Sequence, residues 1–284
     1  MTNIKNSAML VTLSISMFSP KKTDKKVTRE VIRDNNASAD AGKFVKALLP
    51  DEAIEPIRKI ASEARDWHYT HSLPWTDTGQ RILPTRHYLD YTGKMRDYRV
   101  KFSGEVSVFL AEYPQHVEHA KHRLNGMFRV EDYPDAAVIP GKFSFETHYS
   151  PVPDSADFRV DVADDEMDAL RAQVDQRVTD AVNAAQNDLW QRLAEPIGAM
   201  VERLGNPDNK FKDSLVGNIK DIVELIPALN LTGDPKLEEL RLQAKAQLTH
   251  YAPDYLRDST TVRAQTAEKA RQILANMASY MTPA

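Results

Sequence analysis

From Met167 to Leu193 apolar residues recur at steps of three and four: Met167, Leu170, Val174, Val178, Ala181, Ala185, Leu189 and Leu193. A strand would scatter them over both of its faces, whereas an α-helix gathers all eight into one stripe. Asp161, Asp164, Asp165 and Glu166 precede the stripe, where a helix N-terminus favours negative charge. Pro196 is expected to kink or end the helix. Three shorter helical patterns follow at about 212–226, 235–250 and 260–279, so the last part of the chain reads as all-α.

The first part has a different rhythm. Val11, Leu13, Ile15 and Met17 alternate with Thr12, Ser14 and Ser16, which predicts a half-buried strand over 9–18. KVTREVIRD is β-leaning and is expected to return as its hairpin partner, with PKKTDKK (20–26) at the tip. NNASADAG (35–42) is a loop by composition. Asp51 to about Thr70 is expected to be helical, with Pro56 tolerated only in the first turn. Tyr91, Met95, Tyr98, Phe102, Val106, Phe109 and Tyr113 mark another helix, which Pro114 is expected to break before a short helix in QHVEHAKHRLN. KFSFETHY (142–149) and DFRVDV (157–162) alternate as a second pair of strands. The expected fold is therefore α+β and helix-dominant: a small antiparallel sheet with helices, then an all-α C-terminal part. Composition suggests a cut between residues 1–160 and 161–284, or one continuous domain.

Charge and rings follow that cut. The net charge is −4, yet residues 1–130 carry 21 Lys/Arg against 15 Asp/Glu, and residues 131–284 carry 16 against 26. Of the 22 aromatic residues, 17 lie in residues 1–160. With no cysteine, disulfides, thiolate metal sites and cysteine nucleophiles are excluded, which suits a reducing cytoplasm. AMLVTLSISMF (8–18) is followed by Ser19-Pro20-Lys21-Lys22 rather than a cleavage site, and no run approaches the ~18 apolar residues of a membrane span. No membrane partner is expected.

The chain has no phosphate-binding glycine loop, no H-E-x-x-H and no G-x-S-x-G. His116, His119 and His122 are spaced so that neighbours could share a metal, but Lys121 and Arg123 would repel a cation, and a solvated helix face is the simpler reading. The expectation is a non-catalytic protein without metal or cofactor. A metal-dependent nuclease, using these histidines or the 161–166 acids, is one alternative. An assembly protein, with the 164–195 helix driving homo-oligomerisation, is another.

The stretch RDWHYTHSLPWTDTGQRILPTRHYLDY (65–91) points to binding. Single-stranded nucleic acid is held by cations along its backbone and by rings on which bases stack. Trp67, Tyr69, Trp75 and Tyr88 are the candidate platforms. Arg81, Arg86, Lys94, Arg96, Arg99 and Lys101 are the candidate phosphate contacts, and Lys21, Lys22, Lys25 and Lys26 at the hairpin tip would add a mobile arm. The competing reading of each ring is packing: Tyr91, Tyr98, Phe102 and Phe109 fall on the helical stripe and are assigned to core.

LSISMFSPKK, LPWTDTGQRILPTRHYLDY, HRLNGMFRVEDYP and DFRVDV, within residues 10–162, resemble early proteins of bacteriophages that encode their own RNA polymerase. In particular they are similar to the single-stranded-DNA-binding RNA polymerase cofactor of that phage group. The resemblance implies a non-catalytic protein of the host cytoplasm that captures unpaired DNA. It would also bring the phage RNA polymerase to middle promoters, with a fold unlike an OB barrel. The C-terminal ANMASYMTPA lacks the acidic, hydrophobic-tipped tail of bacterial single-strand binders.

Overall fold

The computed structural model describes residues 4–75, 79–157 and 164–281. Along the chain run α1 (Ile4–Ser7), β1 (Ala8–Ser16), β2 (Lys21–Thr23), α2 (Lys25–Asp34), β3 (Val45–Ala47), α3 (Glu55–Thr70), β4 (Leu73–Pro74) and β5 (Arg81–Pro84). They are followed by α4 (Tyr88–Leu124), β6 (Ser144–Pro151), α5 (Asp164–Gly205), α6 (Ser214–Leu229), α7 (Pro235–Leu248), α8 (Pro253–Asp258) and α9 (Thr260–Met277). The fold is α+β and helix-dominant, with a small antiparallel sheet in order β4-β5-β1-β6 and a β2-β3 pair. No helix among the described residues is long and apolar enough to cross a membrane.

Two compact units divide the chain, each discontinuous in sequence. A bundle unit takes residues up to 12, then 69–91 and 149–284; a mixed unit takes 13–68 and 92–148. Compactness thus groups the residues differently from a single cut near 160. The charge asymmetry softens with it. The mixed unit has 19 Lys/Arg against 17 Asp/Glu, or +2, and the bundle unit 18 against 24, or −6, which together restore −4.

In the bundle unit α5 packs on α6 and α9, and α7 on α6 and α9. The expected stripe is consumed here from Val178 onward: Val178, Ala181, Ala185, Leu189 and Leu193 are buried in one hydrophobic cluster with Ile219, Leu240 and Ile273. Met167, Leu170 and Val174 are half-buried. Pro196 does not end α5, which runs on to Gly205 with Ile197, Met200 and Leu204 buried. Burial of these side chains outweighs the roughly 3 kcal/mol that an interior proline costs. The α5 C-terminus is closed by Arg263, only 7% exposed, which donates to the carbonyls of Arg203 (2.7 Å), Asn206 (2.5 Å) and Asn209 (2.7 Å). A cation there answers both the orphan carbonyls and the negative end of the helix dipole. Asp234 caps α7 by accepting from Lys236 N (2.9 Å) and Leu237 N (3.3 Å), and Gln186 Nε2 binds its other oxygen (2.7 Å). Asp234→Ala is expected to cost about 1 kcal/mol in a urea melt.

α4, whose residues from Thr92 onward belong to the mixed unit, is a single 37-residue helix, so Pro114 does not break it. Phe109, Tyr113, Ala120 and Leu124 are buried on both sides of the proline, and Tyr113 Oη donates to Pro134 O (3.0 Å). Packing again outweighs the lost amide. Pro56 is the second residue of α3, where its missing N–H is harmless. KVTREVIRD is not a strand: it forms α2, because the Asp24 carboxylate accepts from Lys26 N (3.0 Å) and Val27 N (3.1 Å) and nucleates a helix. The expected hairpin is replaced by two pairings. β1 runs antiparallel to β5 with Ala8↔Pro84 and Leu10↔Ile82 in the bundle unit, while β2 pairs with β3 in the mixed unit with Lys22↔Lys46. KFSFETHY supplies most of β6; the expected strand in DFRVDV (157–162) lies, after Asp157, outside the described residues.

Candidate nucleic-acid interface

The candidate residues fall into three groups. The first surrounds residues 69–88 in the bundle unit. Trp75 is 8% exposed and belongs to the hydrophobic cluster with Leu73, Ile82 and Leu10, so the sequence expectation of a stacking platform is corrected here: its faces are already covered. Tyr69 is 49% exposed, but the Arg81 guanidinium lies 4.9 Å from its ring centroid. Arg81 also donates to Ser72 Oγ (2.7 Å) and Ser72 O (2.9 Å). Arg192 binds the neighbouring carbonyls of Thr70 (2.6 Å) and Ser72 (3.0 Å) and pairs with Asp188 (2.8 Å). Burial, then the Arg192 charge, holds the Arg81 pKa below its ordinary value, and burial raises that of Asp188 against the pull of Arg192 and Arg81. Arg81 is therefore a bracing cation rather than a free phosphate contact. Tyr88 is half-buried edge-on to Tyr149 (5.7 Å), and the exposed Arg86 donates to Pro227 O (3.1 Å) at the end of α6.

A groove of about 700 Å³ in the same unit is lined by His71, His87, Asp90, Lys220, Asp221 and Glu224. His71 and His87 stack at 5.5 Å, and burial lowers the His87 pKa despite Asp90, keeping it neutral near pH 7. Three carboxylates against one lysine make this groove a poor seat for a phosphate chain.

The second group lies on α3 and α4 of the mixed unit. Trp67 is half-buried beside the buried His68. Lys94 and Lys101 stand 5.3 and 5.9 Å from the centroid of the Tyr98 ring, which is itself 9% exposed. Arg96 and Arg99 are exposed, form no ion pair among the described residues, and share the outward helix face with Val100. His116 stacks on Phe109 (6.0 Å) while His119 and His122 point to solvent. No group of three or more His, Asp or Glu able to hold a metal ion occurs among the described residues.

The third group is basic and shares one segment. Lys21 and Lys22 sit on β2, near Asp51 (3.4 Å) and Asp132 (2.8 Å). Lys25 and Lys26 open α2, and Lys26 reaches Glu30 only at 3.9 Å. The lysines thus stand on a strand and a helix instead of a mobile tip. Sequence reasoning missed their continuation in Arg29 and Arg33, although the steps of four from Lys25 carry a helical signature. Arg29 is exposed, its Nε donating to Lys25 O (3.2 Å). Asp24 is withdrawn from this surface: as helix cap and partner of Lys46 it is 9% exposed. Besides the capped Asp24, the only acids of this segment beside its six exposed cations at 21–33 are the half-buried Glu30 and the exposed Asp34, which pairs with Arg33 (2.9 Å).

No family model, curated protein or solved structure matches the chain.

Proposed function

We propose that this chain is a non-catalytic single-stranded-DNA-binding protein of a bacteriophage, acting in the host cytoplasm. There it brings the phage RNA polymerase to middle promoters. The observation that carries the DNA-binding part is the exposed cationic segment at 21–33, whose central acid is buried as a helix cap. A positive surface without a base-reading element suits a sequence-tolerant strand binder, because backbone contacts carry the affinity. The phage and polymerase parts rest on the resemblance of the four sequence blocks. The C-terminal bundle, acidic overall, is left for protein partners, the polymerase among them or a second copy of the chain.

The test is fluorescence anisotropy with single- and double-stranded oligonucleotides of one sequence, with and without EDTA. The expected result is single-strand preference indifferent to EDTA, with log affinity falling against log salt at a slope of about −2 to −3 for three or four phosphate contacts. Equal or absent binding of the two forms overturns the proposal. Cleavage of the oligonucleotide that EDTA abolishes would establish a nuclease instead.

A further inference from the structure

Beside the cationic row of α2 lies an open groove of about 330 Å³ in the mixed unit. One wall is α2 with its C-cap, through Thr28, Val31, Ile32 and the cap residue Asn35; the other is the 37–44 segment, ending in Lys43 and Phe44. At 100° per residue the three α2 positions Thr28, Val31 and Ile32 span an arc of about 100°, and Lys25, Arg29 and Arg33 climb the adjoining flank at about 6 Å per step. Lys43 is exposed on the opposite bank. The floor is apolar, with Val31 51% exposed, so the groove joins uncovered hydrophobic surface to cations on both sides.

Phe44 is fixed in place. Its N–H donates to Thr28 Oγ1 (3.0 Å), its carbonyl accepts from Asp24 N (3.0 Å), and Thr28 Oγ1 in turn donates to Asp24 O (2.7 Å). The residue is thereby tied to the capped first turn of α2 and its half-buried ring is held at the groove. A ring presented without mobility loses little entropy when a flat ligand packs on it.

We propose that this groove is a nucleotide subsite for single-stranded nucleic acid. Phe44 is its base-stacking platform, and Lys25, Arg29 and Lys43 contact the flanking phosphates. The inference rests on the single-strand reading above and moves its centre from residues 65–101 to residues 25–44. Charge selects the occupant. An apolar floor accepts a base, a lipid chain or a peptide side chain. Cations repeated at about one helical turn along one bank match a ligand that carries a negative charge at every repeat of an extended strand.

The experiment compares the whole chain with Phe44→Leu, Phe44→Trp and Lys25→Ala/Arg29→Ala, each checked for an unchanged melting transition. Binding of a thymidine oligomer by the unaltered protein comes first, because its absence sinks the function rather than the location. Given that binding, Phe44→Leu is expected to weaken it roughly five- to hundredfold at unchanged salt slope, since a stacking ring releases no counterion. Phe44→Trp is expected to retain affinity and to show oligomer-dependent quenching beyond that of the unaltered protein. The Lys25/Arg29 double variant should lower the salt slope by about 0.7 per lost contact. Unchanged affinity in Phe44→Leu together with an unchanged slope in the double variant overturns the subsite. So does an emission change on adding an acidic peptide but not the oligomer, which would assign the groove to a protein partner.

Discussion

Trp75→Ala is expected to destabilise the protein by about 3–5 kcal/mol in chemical denaturation while leaving the single-strand affinity of the folded protein unchanged. The side chain is 8% exposed and packs in the cluster that joins β1, β4 and β5 to α5 through α9. Truncation removes a large buried ring and leaves a cavity that a sheet-and-helix core closes only in part. Because the ring lies in the bundle unit, the effect should appear as an earlier melt rather than a weaker complex. A variant that melts normally but binds an oligonucleotide ten times more weakly would restore Trp75 as a stacking residue. Its sequence surroundings, a proline and polar neighbours, suggest an exposed loop ring. The structure buries it because β4 pairs with β5, Leu73 opposite Ile82 and Pro74 opposite Arg81, and Trp75 follows Pro74 directly into the same hydrophobic cluster.

The second large effect concerns Lys46, which is 2% exposed yet carries charge. Its ammonium pairs with Asp132 and lies 3.5 Å from Asp24, and it donates to Met127 O (3.0 Å). Lys46→Met keeps the apolar stem and removes the charge, stranding two carboxylates that are 5–8% exposed. The expected loss is about 3 kcal/mol at pH 7, at the lower end for a broken buried pair because Lys22 and the α2 amides still face those carboxylates. The pH dependence distinguishes this from simple packing. Backbone hydrogen bonding from Val27, opposed by burial and aided by Lys46, holds the Asp24 pKa below the carboxylate range. Burial would raise that of Asp132, but hydrogen bonds from Lys22 and Lys46 bring it below its ordinary value. A carboxylate whose folded pKa is depressed lends stability above its unfolded pKa, about 4, and loses it as pH falls through the folded value. The gap between Lys46→Met and the unaltered protein should therefore be widest near neutrality and shrink below about pH 4. A gap that is the same at pH 7 and pH 3 would mean that Lys46 contributes packing alone.

Both results bear on the proposed interface in opposite ways. The Trp75 change leaves it untouched, whereas the Lys46 change loosens Asp24, the cap that orients α2 and ties down Phe44. Reduced oligonucleotide affinity in Lys46→Met, recovered at low temperature where the fold is intact, would follow from the location argued for the subsite.

Periodicity was enough to recover most helices and the α+β, helix-dominant class. The stripes on α4 and α5 and the alternation of β1 are direct consequences of one face being buried, and burial is written into residue order at 3.6 or 2 residues per repeat. The same logic places Tyr91, Tyr98, Phe102 and Phe109 in the interior, where they are found. What residue order did not contain was the outcome of competitions. Pro114 and Pro196 read as helix ends because the local cost is visible and the compensating contacts are distant in sequence. KVTREVIRD reads as a strand by its valines and isoleucine, but one carboxylate at Asp24 and a salt link to Lys46, 22 residues away, favour a helix. Cations and rings could be counted along the chain, but only folding decides which remain available. It turned Arg81 inward to brace carbonyls and covered Trp75. It also set Phe44, unremarkable in sequence, beside Lys25 and Arg29, because a hydrogen bond from its amide to Thr28 closes a loop of 16 residues.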